Sequence, residues 1–373
     1  MRWCARCVLP DTRPGIVIGD DGVCNACRTH GLRPEVDWAE RARAFGRLCE
    51  SVRSDGPGYD ALIPVSGGKD SHWQVLTCLE HGLKPLCVTW RPPGRTALGQ
   101  ANLDNLVRLG VDHIDFTVNP DVESRFMLAA FRRFGTPGLP MHMAIFGIPL
   151  AMALRMSIPL VVWGENSALE YGSPDGLHMG ERLTSGWLAR HGVMHGTTAE
   201  DWIGSEGLSA RDLTPYFGPS PDDLEAKGLR AVFLGWYFPW DPEAVRRVAS
   251  GSGFSASADG ARTGFYDYAD VDDEFIAVHH WLKWYKFGFT RTFDNLSLEI
   301  RNGRMTRGEA LAEIARRGDE MPREDIEAAS AFMRISPEEF FRIAERFRNP
   351  DVWTRHDGRW TIPDFIVPDW EWT

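Results

Sequence analysis

Short apolar runs alternate with amphipathic segments through the first two thirds of the chain. Runs typical of buried strands lie at 61–65, 85–90, 113–118, 159–166 and 231–237. Segments with apolar residues at helical spacing lie between them, at 71–82, 99–109, 121–134 and 141–157, and we expect the last to be interrupted at Pro149. This alternation predicts an α/β fold with a parallel sheet, right-handed crossovers and ligand binding at the carboxyl ends of the strands.

The two ends of the chain follow other patterns. Residues 36–53 look helical, and from about 239 onward we expect amphipathic helices without strands, as at 306–317 and 336–348. Thr306 with Glu309 and Ser336 with Glu339 are predicted capping boxes. The irregular stretch 167–228 is a candidate lid or substrate loop. We therefore expect three regions: 1–34, 35–238 and 239–373.

Composition narrows the class of protein. The 373 residues are 43% hydrophobic with 15 tryptophans, which is typical of a globular protein. No apolar run reaches the ~20 residues that span a membrane, and the start MRWCARCVLP does not resemble a signal peptide. We expect a cytoplasmic location. The net charge of −11 makes nucleic acid an unlikely partner, because phosphate contacts need clustered cations.

Four cysteines lie in the first 27 residues, as two C-x2-C pairs separated by a turn-rich segment: Cys4, Cys7, Cys24 and Cys27. This spacing predicts a closed structural Zn2+ site that holds together a segment too small for its own core. A disulfide is disfavoured in a reducing compartment, and an iron–sulfur cluster stays an alternative. The other cysteines, Cys49, Cys78 and Cys87, are expected to be buried small side chains.

The sequence PVSGGKDS at 64–71 follows the first predicted strand and opens its helix. Glycines allow backbone N–H groups to approach an anion, the helix N-terminus attracts negative charge, and Lys69 neutralises it. The spacing is not that of a Walker loop, since Gly67 and Gly68 directly precede the lysine. A different phosphate loop is predicted.

PVSGGKDS resembles the PP-loop of ATP pyrophosphatases, which split ATP between its α and β phosphates and transfer AMP to a substrate oxygen. The resemblance implies a Rossmann-like PP-loop domain whose ATP pyrophosphate lies in a cradle formed by Ser66, Gly67, Gly68, Lys69, Asp70 and Ser71.

With CARCVLPDTRPGI, DDGVCNACR, WGEN at 163–166 and KFGFTRTFDNLSLEIRNGRMTRGE at 286–309, the chain resembles the N-acetyl sugar amidotransferases of lipopolysaccharide O-antigen and pseudaminic-type sugar pathways. The resemblance implies conversion of an acetamido group to an acetamidino group, and we expect the substrate to be a UDP- or similar nucleotide-linked sugar. ATP would adenylate the amide oxygen, and ammonia would displace AMP. It also implies partner subunits resembling the glutaminase and cyclase of histidine biosynthesis, which would supply ammonia.

Further site residues follow from the resemblance and from their places in the chain. Asp70 and Glu165 are candidate Mg2+ ligands, Asp70 before Glu165. Gly164 and Asn166 at the fourth strand, and Thr89 and Trp90 at the second, are candidates for nucleotide binding. The predicted catalytic residues are Lys69, Asp70, Lys286 and Arg291. For Lys286 and Arg291 the alternative is a side chain that only faces solvent, as Lys and Arg on helices usually do. No role is assigned to His142, His178, His191 and His195.

Two other functions remain open. A tRNA-thiolating enzyme would share the loop and use cysteines for sulfur, but the acidic charge and the terminal, zinc-like cysteine pairs count against it. A non-catalytic nucleotide-binding scaffold would also preserve the loop.

Overall fold

The computed structural model describes residues 1–173 and 180–372. A five-stranded parallel sheet organises its first two thirds. Its strands are β1 (Ala61–Pro64), β2 (Pro85–Trp90), β3 (Asp112–Phe116), β4 (Leu160–Trp163) and β5 (Arg230–Phe233). They lie in the order β3-β2-β1-β4-β5, so the direction of winding switches between β1 and β4. The predicted α/β fold class is confirmed, and ligands of such sheets bind at this switch point.

Helices cover both faces of the sheet and form its two apolar cores. α1 (Asn25–Gly31) belongs to the N-terminal cysteine segment. The helices of the sheet region are, in chain order, α2 (Trp38–Val52), α3 (Lys69–Glu80), α4 (Ala97–Val107), α5 (Pro120–Phe134), α6 (Leu139–Arg155), α7 (Ser167–Tyr171), α8 (Ser185–His191), α9 (Pro221–Ala226), α10 (Leu234–Tyr237) and α11 (Pro242–Ser250). Short 3-10 turns occur at Arg33–Glu35, Ala199–Trp202, Ser205–Gly207 and Thr214–Tyr216.

Two features of this region differ from the sequence expectations. Pro149 does not interrupt the predicted helix, because α6 runs through it and buries most of its apolar side chains in the core. The described part of 167–228 is packed into that core through Trp187, Trp202 and Leu213, so it is not an open lid. His178, which had no assigned role, lies outside the described residues.

The C-terminal region is mainly helical, as predicted. It contains α12 (Ile276–Phe287), α13 (Arg291–Arg301), α14 (Arg307–Arg317), α15 (Arg323–Phe332) and α16 (Pro337–Glu345). Both bonds of the capping box at Thr306 and Glu309 are present, and the Ser336 side chain accepts from the N–H of Glu339.

The expectation that strands end at 239 was wrong. A small antiparallel hairpin pairs β6 (Thr354–His356) with β7 (Arg359–Thr361). Its turn is Asp357-Gly358, with φ of 47° and 84°, a two-residue turn that twists in the same sense as the strands it joins.

The N-terminal cysteine segment packs against the C-terminal helices. Its buried cysteines share an apolar core with Phe289, Phe293 and Ile314. The chain ends therefore meet, although the predicted boundaries near 34 and 238 stay predictions.

Candidate active site

A cavity of about 170 Å³ lies at the carboxyl ends of β1 and β4 and is closed by the segment 266–272 and α13. It brings together residues far apart in sequence: Ser66, Gly68, Lys69, Asp70, Glu165, Tyr171, Trp240, Pro242, Tyr266, Tyr268, Ala269, Asp270, Val271, Asp272, Arg291, Asn295 and Leu298. The glycine loop and three of the predicted polar residues, Asp70, Glu165 and Arg291, therefore share one site.

The glycine loop is shaped for close approach. Gly67 has φ of 91°, and a Cβ there would lie 2.7 Å from the backbone nitrogen of Leu103, so only glycine fits. Gly68 precedes α3, and in the described part of the chain no side chain caps this helix. The Ser71 hydroxyl accepts from the N–H of Ser66 at 2.9 Å and fixes the turn. The helix N-terminus is thus available to an anion.

Lys69 and Asp70 form a pair that a tryptophan holds in place. The Lys69 side chain is buried, and its Nζ lies 2.5 Å from Oδ2 of Asp70. The indole Nε1 of Trp240 donates to Oδ1 of Asp70 at 2.8 Å, and the Lys69 ammonium lies 5.2 Å from the Trp240 ring centroid. Sequence analysis missed Trp240, because it follows α10, some 170 residues from the loop.

Two further carboxylates, Glu165 and Asp272, line the same cavity. Burial, with the nearby charge of Asp70, raises the pKa of Glu165 to about 7, and burial raises the pKa of Asp272 to about 6. Among the described residues only the four cysteines place three or more ligand atoms within 4.8 Å of one another. Acids spaced more widely suit a Mg2+ ion that keeps waters and takes oxygens from phosphates.

The other nucleotide-site candidates lie behind the cavity. Asn166 is buried, caps α7 and accepts from Trp187 at 3.0 Å. Gly164 accepts from the N–H of Gly235 at 3.0 Å and allows Gln74 to pack close to it. Thr89 donates to the carbonyl of Val65 at 2.7 Å. Their proposed contacts with nucleotide stay predictions.

Trp90 lines a separate small cavity beside α5 and α6, together with Glu123 and His279. It does not meet the glycine loop, and a role in nucleotide binding stays a prediction. Burial raises the pKa of Glu123 to about 7, and its carboxylate accepts from the hydroxyl of Tyr216.

A cluster of charges surrounds Arg291. Its Nε lies 3.3 Å from Asp270, and although burial alone would lower the pKa of Arg291, this carboxylate raises it. Asp294 is fully buried and pairs with Arg13 at 2.5 Å and Lys283 at 3.5 Å. These contacts contradict the alternative that the cations merely face solvent.

Arg13 and Asp270 were missed as site residues. Asp270 lies in the acidic and aromatic run YDYADVD at 266–272, which is the local sequence signal that could have identified it.

Lys286 lies outside the residues lining the cavity. Burial and the charge of Lys283 lower the pKa of Lys286 to about 8. The same two causes lower the pKa of His142. His142 has a pKa of about 4, lowered by burial, and its Nδ1 lies 2.8 Å from the carbonyl of Gly138. The catalytic role of Lys286 stays a prediction.

The cysteine cluster is separate from the cavity. Cys4, Cys7, Cys24 and Cys27 are buried with ligand atoms within 4.8 Å of one another, a donor set compatible with zinc. Hydrogen bonds from the other three thiols, led by Cys24, lower the pKa of Cys4. Cys49, Cys78 and Cys87 are buried as predicted, and burial raises the pKa of Cys49 and of Cys87 to about 12.

Within the described residues, no helix is both long and apolar enough to cross a membrane. Among solved structures, NMN synthetase from Francisella tularensis is 14% identical over 57% of this chain and 92% of that chain, with a TM-score of 0.29, too low to support a conclusion. No curated protein matches the chain.

Residues 260–365 match the family model described as "LPS biosynthesis protein WbpG-like, C-terminal domain". They include the segment 266–272 and α13, which close the cavity. Over residues 260–365 this chain is therefore similar to the WbpG-like family of LPS biosynthesis proteins, which supports the family recognised from the motifs.

Proposed function

We propose that the protein is an ATP-dependent amidotransferase that converts an acetamido group of a nucleotide-linked sugar to an acetamidino group. One observation carries the proposal: an uncapped glycine loop with Lys69 shares a cavity with Arg291 and with the carboxylates of Glu165 and Asp272. The family match supports a role in LPS biosynthesis. A site with this many charges can stabilise phosphate and its leaving group.

The reaction begins at an amide, whose oxygen is a poor leaving group. The amide oxygen attacks the α-phosphorus of ATP, a P–O bond forms, and the bond to the bridging oxygen breaks with its electron pair leaving on pyrophosphate. Ammonia then adds to the activated carbon, loses a proton, and the C–O bond breaks to release AMP.

This chain's residues have distinct tasks in the first step. The N–H groups at the start of α3 and the Lys69 ammonium hold the pyrophosphate, which gains charge as it leaves. Arg291, whose charge is secured by Asp270, neutralises the phosphoryl group from the other side. Mg2+, with Asp70 and Glu165 as candidate ligands, would supply further charge neutralisation.

The sites of the cysteines favour amide transfer over thiolation. In the described residues no thiol lines the cavity, and the three cysteines outside the N-terminal cluster are buried with pKa values raised by burial. They are unsuited to carry sulfur or to act as a glutaminase nucleophile. Ammonia is therefore proposed to come from glutaminase and cyclase-like partners.

Mass spectrometry tests the proposal. A panel of UDP-linked and free acetamido sugars is incubated with protein, ATP, Mg2+ and ammonium, and we expect a product lighter by the difference between O and NH, with an equal amount of AMP. Lys69→Ala should lower this turnover by at least about 100-fold. Lys84→Ala is the matched control, because Lys84 directly precedes the amino end of β2, and it should leave the turnover unchanged.

Two outcomes would replace the proposal. Thiolated tRNA in a parallel reaction with sulfide, with every sugar unchanged, would favour the tRNA-modifying function. ATP binding without turnover of any acceptor would favour the scaffold.

A further inference from the structure

The N-terminal cysteine segment reaches the wall of the cavity through one arginine. The loop between its two cysteine pairs is held by turns at Arg13, whose N–H donates to Pro10 and whose carbonyl accepts from Ile16. The neighbouring Thr12 hydroxyl donates to the carbonyl of Phe287 at 2.6 Å and anchors this loop to the end of α12.

The Arg13 guanidinium lies between two groups that belong to the site. Its Nε is 2.5 Å from Oδ1 of Asp294, and its Cζ lies 5.1 Å from the ring centroid of Tyr171. Tyr171 lines the cavity, whereas Asp294 is 0% exposed and lies one helical turn after Arg291. Arg13 is therefore one side chain removed from the ligand space.

Asp294 cannot be charged at this depth without partners, because an isolated buried carboxylate is strongly disfavoured. Although burial would raise its pKa, Arg13 holds the pKa of Asp294 well below its usual range. Oδ2 of the same carboxylate then faces Lys283 at 3.5 Å and Arg291 at 4.0 Å. Arg13 is thus the largest of three cationic contributions that keep Asp294 charged, and Asp294 faces the Arg291 guanidinium together with Asp270.

We propose that Arg13 is a positioning residue of the active site: through the buried carboxylate of Asp294 and the ring of Tyr171, it fixes the Arg291 guanidinium against the cavity that binds a nucleotide phosphate. The cysteine segment then supports the cavity wall from behind Tyr171 and Asp294. This inference rests on the nucleotide-binding part of the proposed function and is independent of the sugar reaction.

Calorimetry with Mg2+ and the non-cleavable analogue α,β-methylene-ATP tests it on the full chain. Arg13→Ala and Arg291→Ala should each weaken binding about 10-fold, or ~1.4 kcal/mol. The double variant should lose little more than either single one, because Arg13 acts on the ligand only through Arg291, whereas independent sites would multiply to about 100-fold. Guanidinium ion should restore affinity to Arg13→Ala.

The control is Arg2→Ala in the same segment, since Arg2 pairs with Asp11 and its side chain is 63% exposed. It should bind as the wild type does. If Arg13→Ala fails to fold, Asp294→Asn tests the same link, and it too should be non-additive with Arg291→Ala.

Each remaining outcome decides the matter. Wild-type affinity in both Arg13→Ala and Asp294→Asn, or multiplicative losses in the double variant, would overturn the positioning role. No binding by the wild-type protein would overturn it together with the proposed function. If calorimetry gives the predicted pattern but no sugar is converted, the positioning role of Arg13 stands and the amidotransferase reaction is rejected.

Discussion

Trp240 holds the carboxylate of Asp70 in the orientation that pairs it with Lys69. The indole donates to Oδ1 at 2.8 Å while Lys69 contacts Oδ2 at 2.5 Å, so the two oxygens have different partners. A hydrogen bond to a charged group contributes about 1.5–3 kcal/mol. Trp240 thereby preorganises the residues that we propose to meet Mg2+ and pyrophosphate.

Replacement of Trp240 by phenylalanine removes this hydrogen bond and keeps the aromatic face. We expect about 10-fold weaker binding of Mg2+ with the ATP analogue, because Asp70 must then be ordered by the ligand. Calorimetry gives the affinity. Trp236→Phe is the matched control, since Trp236 packs on Arg41 with 4.2 Å between the guanidinium and the ring. Equal effects of the two changes would contradict this role.

The residues of the site that sequence could identify are those with a local pattern. Lys69 and Glu165 stand directly after strands, where parallel sheets bind ligands, and both line the cavity. Arg13, Trp240 and Asp270 could not be identified in this way, because their partners are distant in sequence and none of them follows a strand of the sheet directly. Asn166 also stands just after a strand and caps a helix there, and its contact with nucleotide stays a prediction.

At the scale of elements, the turn from β1 to α3 depends on Gly67. Its positive φ and its contact with the backbone of α4 are two separate requirements. Gly110 also has a positive φ, 98°, but a Cβ there would meet nothing within 4 Å. Alanine at Gly110 therefore tests backbone strain alone, whereas alanine at Gly67 tests strain together with close packing.

Gly110→Ala should lower the free energy of unfolding by about 1–3 kcal/mol through strain alone. Gly67→Ala should lower it by about 1–3 kcal/mol more, because α4 must move away from the new methyl group. Urea denaturation measures both. Equal losses for the two variants would mean that Gly67 and α4 are not in the close contact described.

Element types could be predicted because apolar periodicity reflects which faces are buried. All five strands of the sheet were predicted within a few residues. Pro149 was misjudged because burial of α6 on both sides compensates for a lost backbone hydrogen bond. The hairpin at 354–361 was missed because its strands are only three residues long, although Asp-Gly is a known turn pair.

At the scale of the whole molecule, the cysteine segment connects the two ends of the chain. It packs on α13 and α14, and Arg307 donates to the carbonyl of Cys7 at 3.2 Å. A metal ion held by the four cysteines would stabilise such a small segment. We expect that ion to affect both the stability of the protein and the position of Arg13.

Cys24→Ser should remove the metal, lower the Tm by about 5 °C or more, and weaken nucleotide binding as Arg13→Ala does. Elemental analysis, a thermal melt and calorimetry follow these three effects. Cys87→Ala, a buried cysteine of the sheet, should keep its metal. Iron with acid-labile sulfide in place of zinc would establish the cluster alternative, and metal loss without change in Tm would contradict a structural role.

In the proposed reaction, the amide oxygen of the sugar is transferred to AMP. A sugar carrying 18O in its acetamido carbonyl, incubated with protein, ATP, Mg2+ and ammonium, separates this route from other uses of ATP. We expect the 18O to appear in the phosphate of AMP and to be absent from the sugar product. Label retained in the sugar, or found in pyrophosphate or inorganic phosphate, would contradict adenylation of the amide.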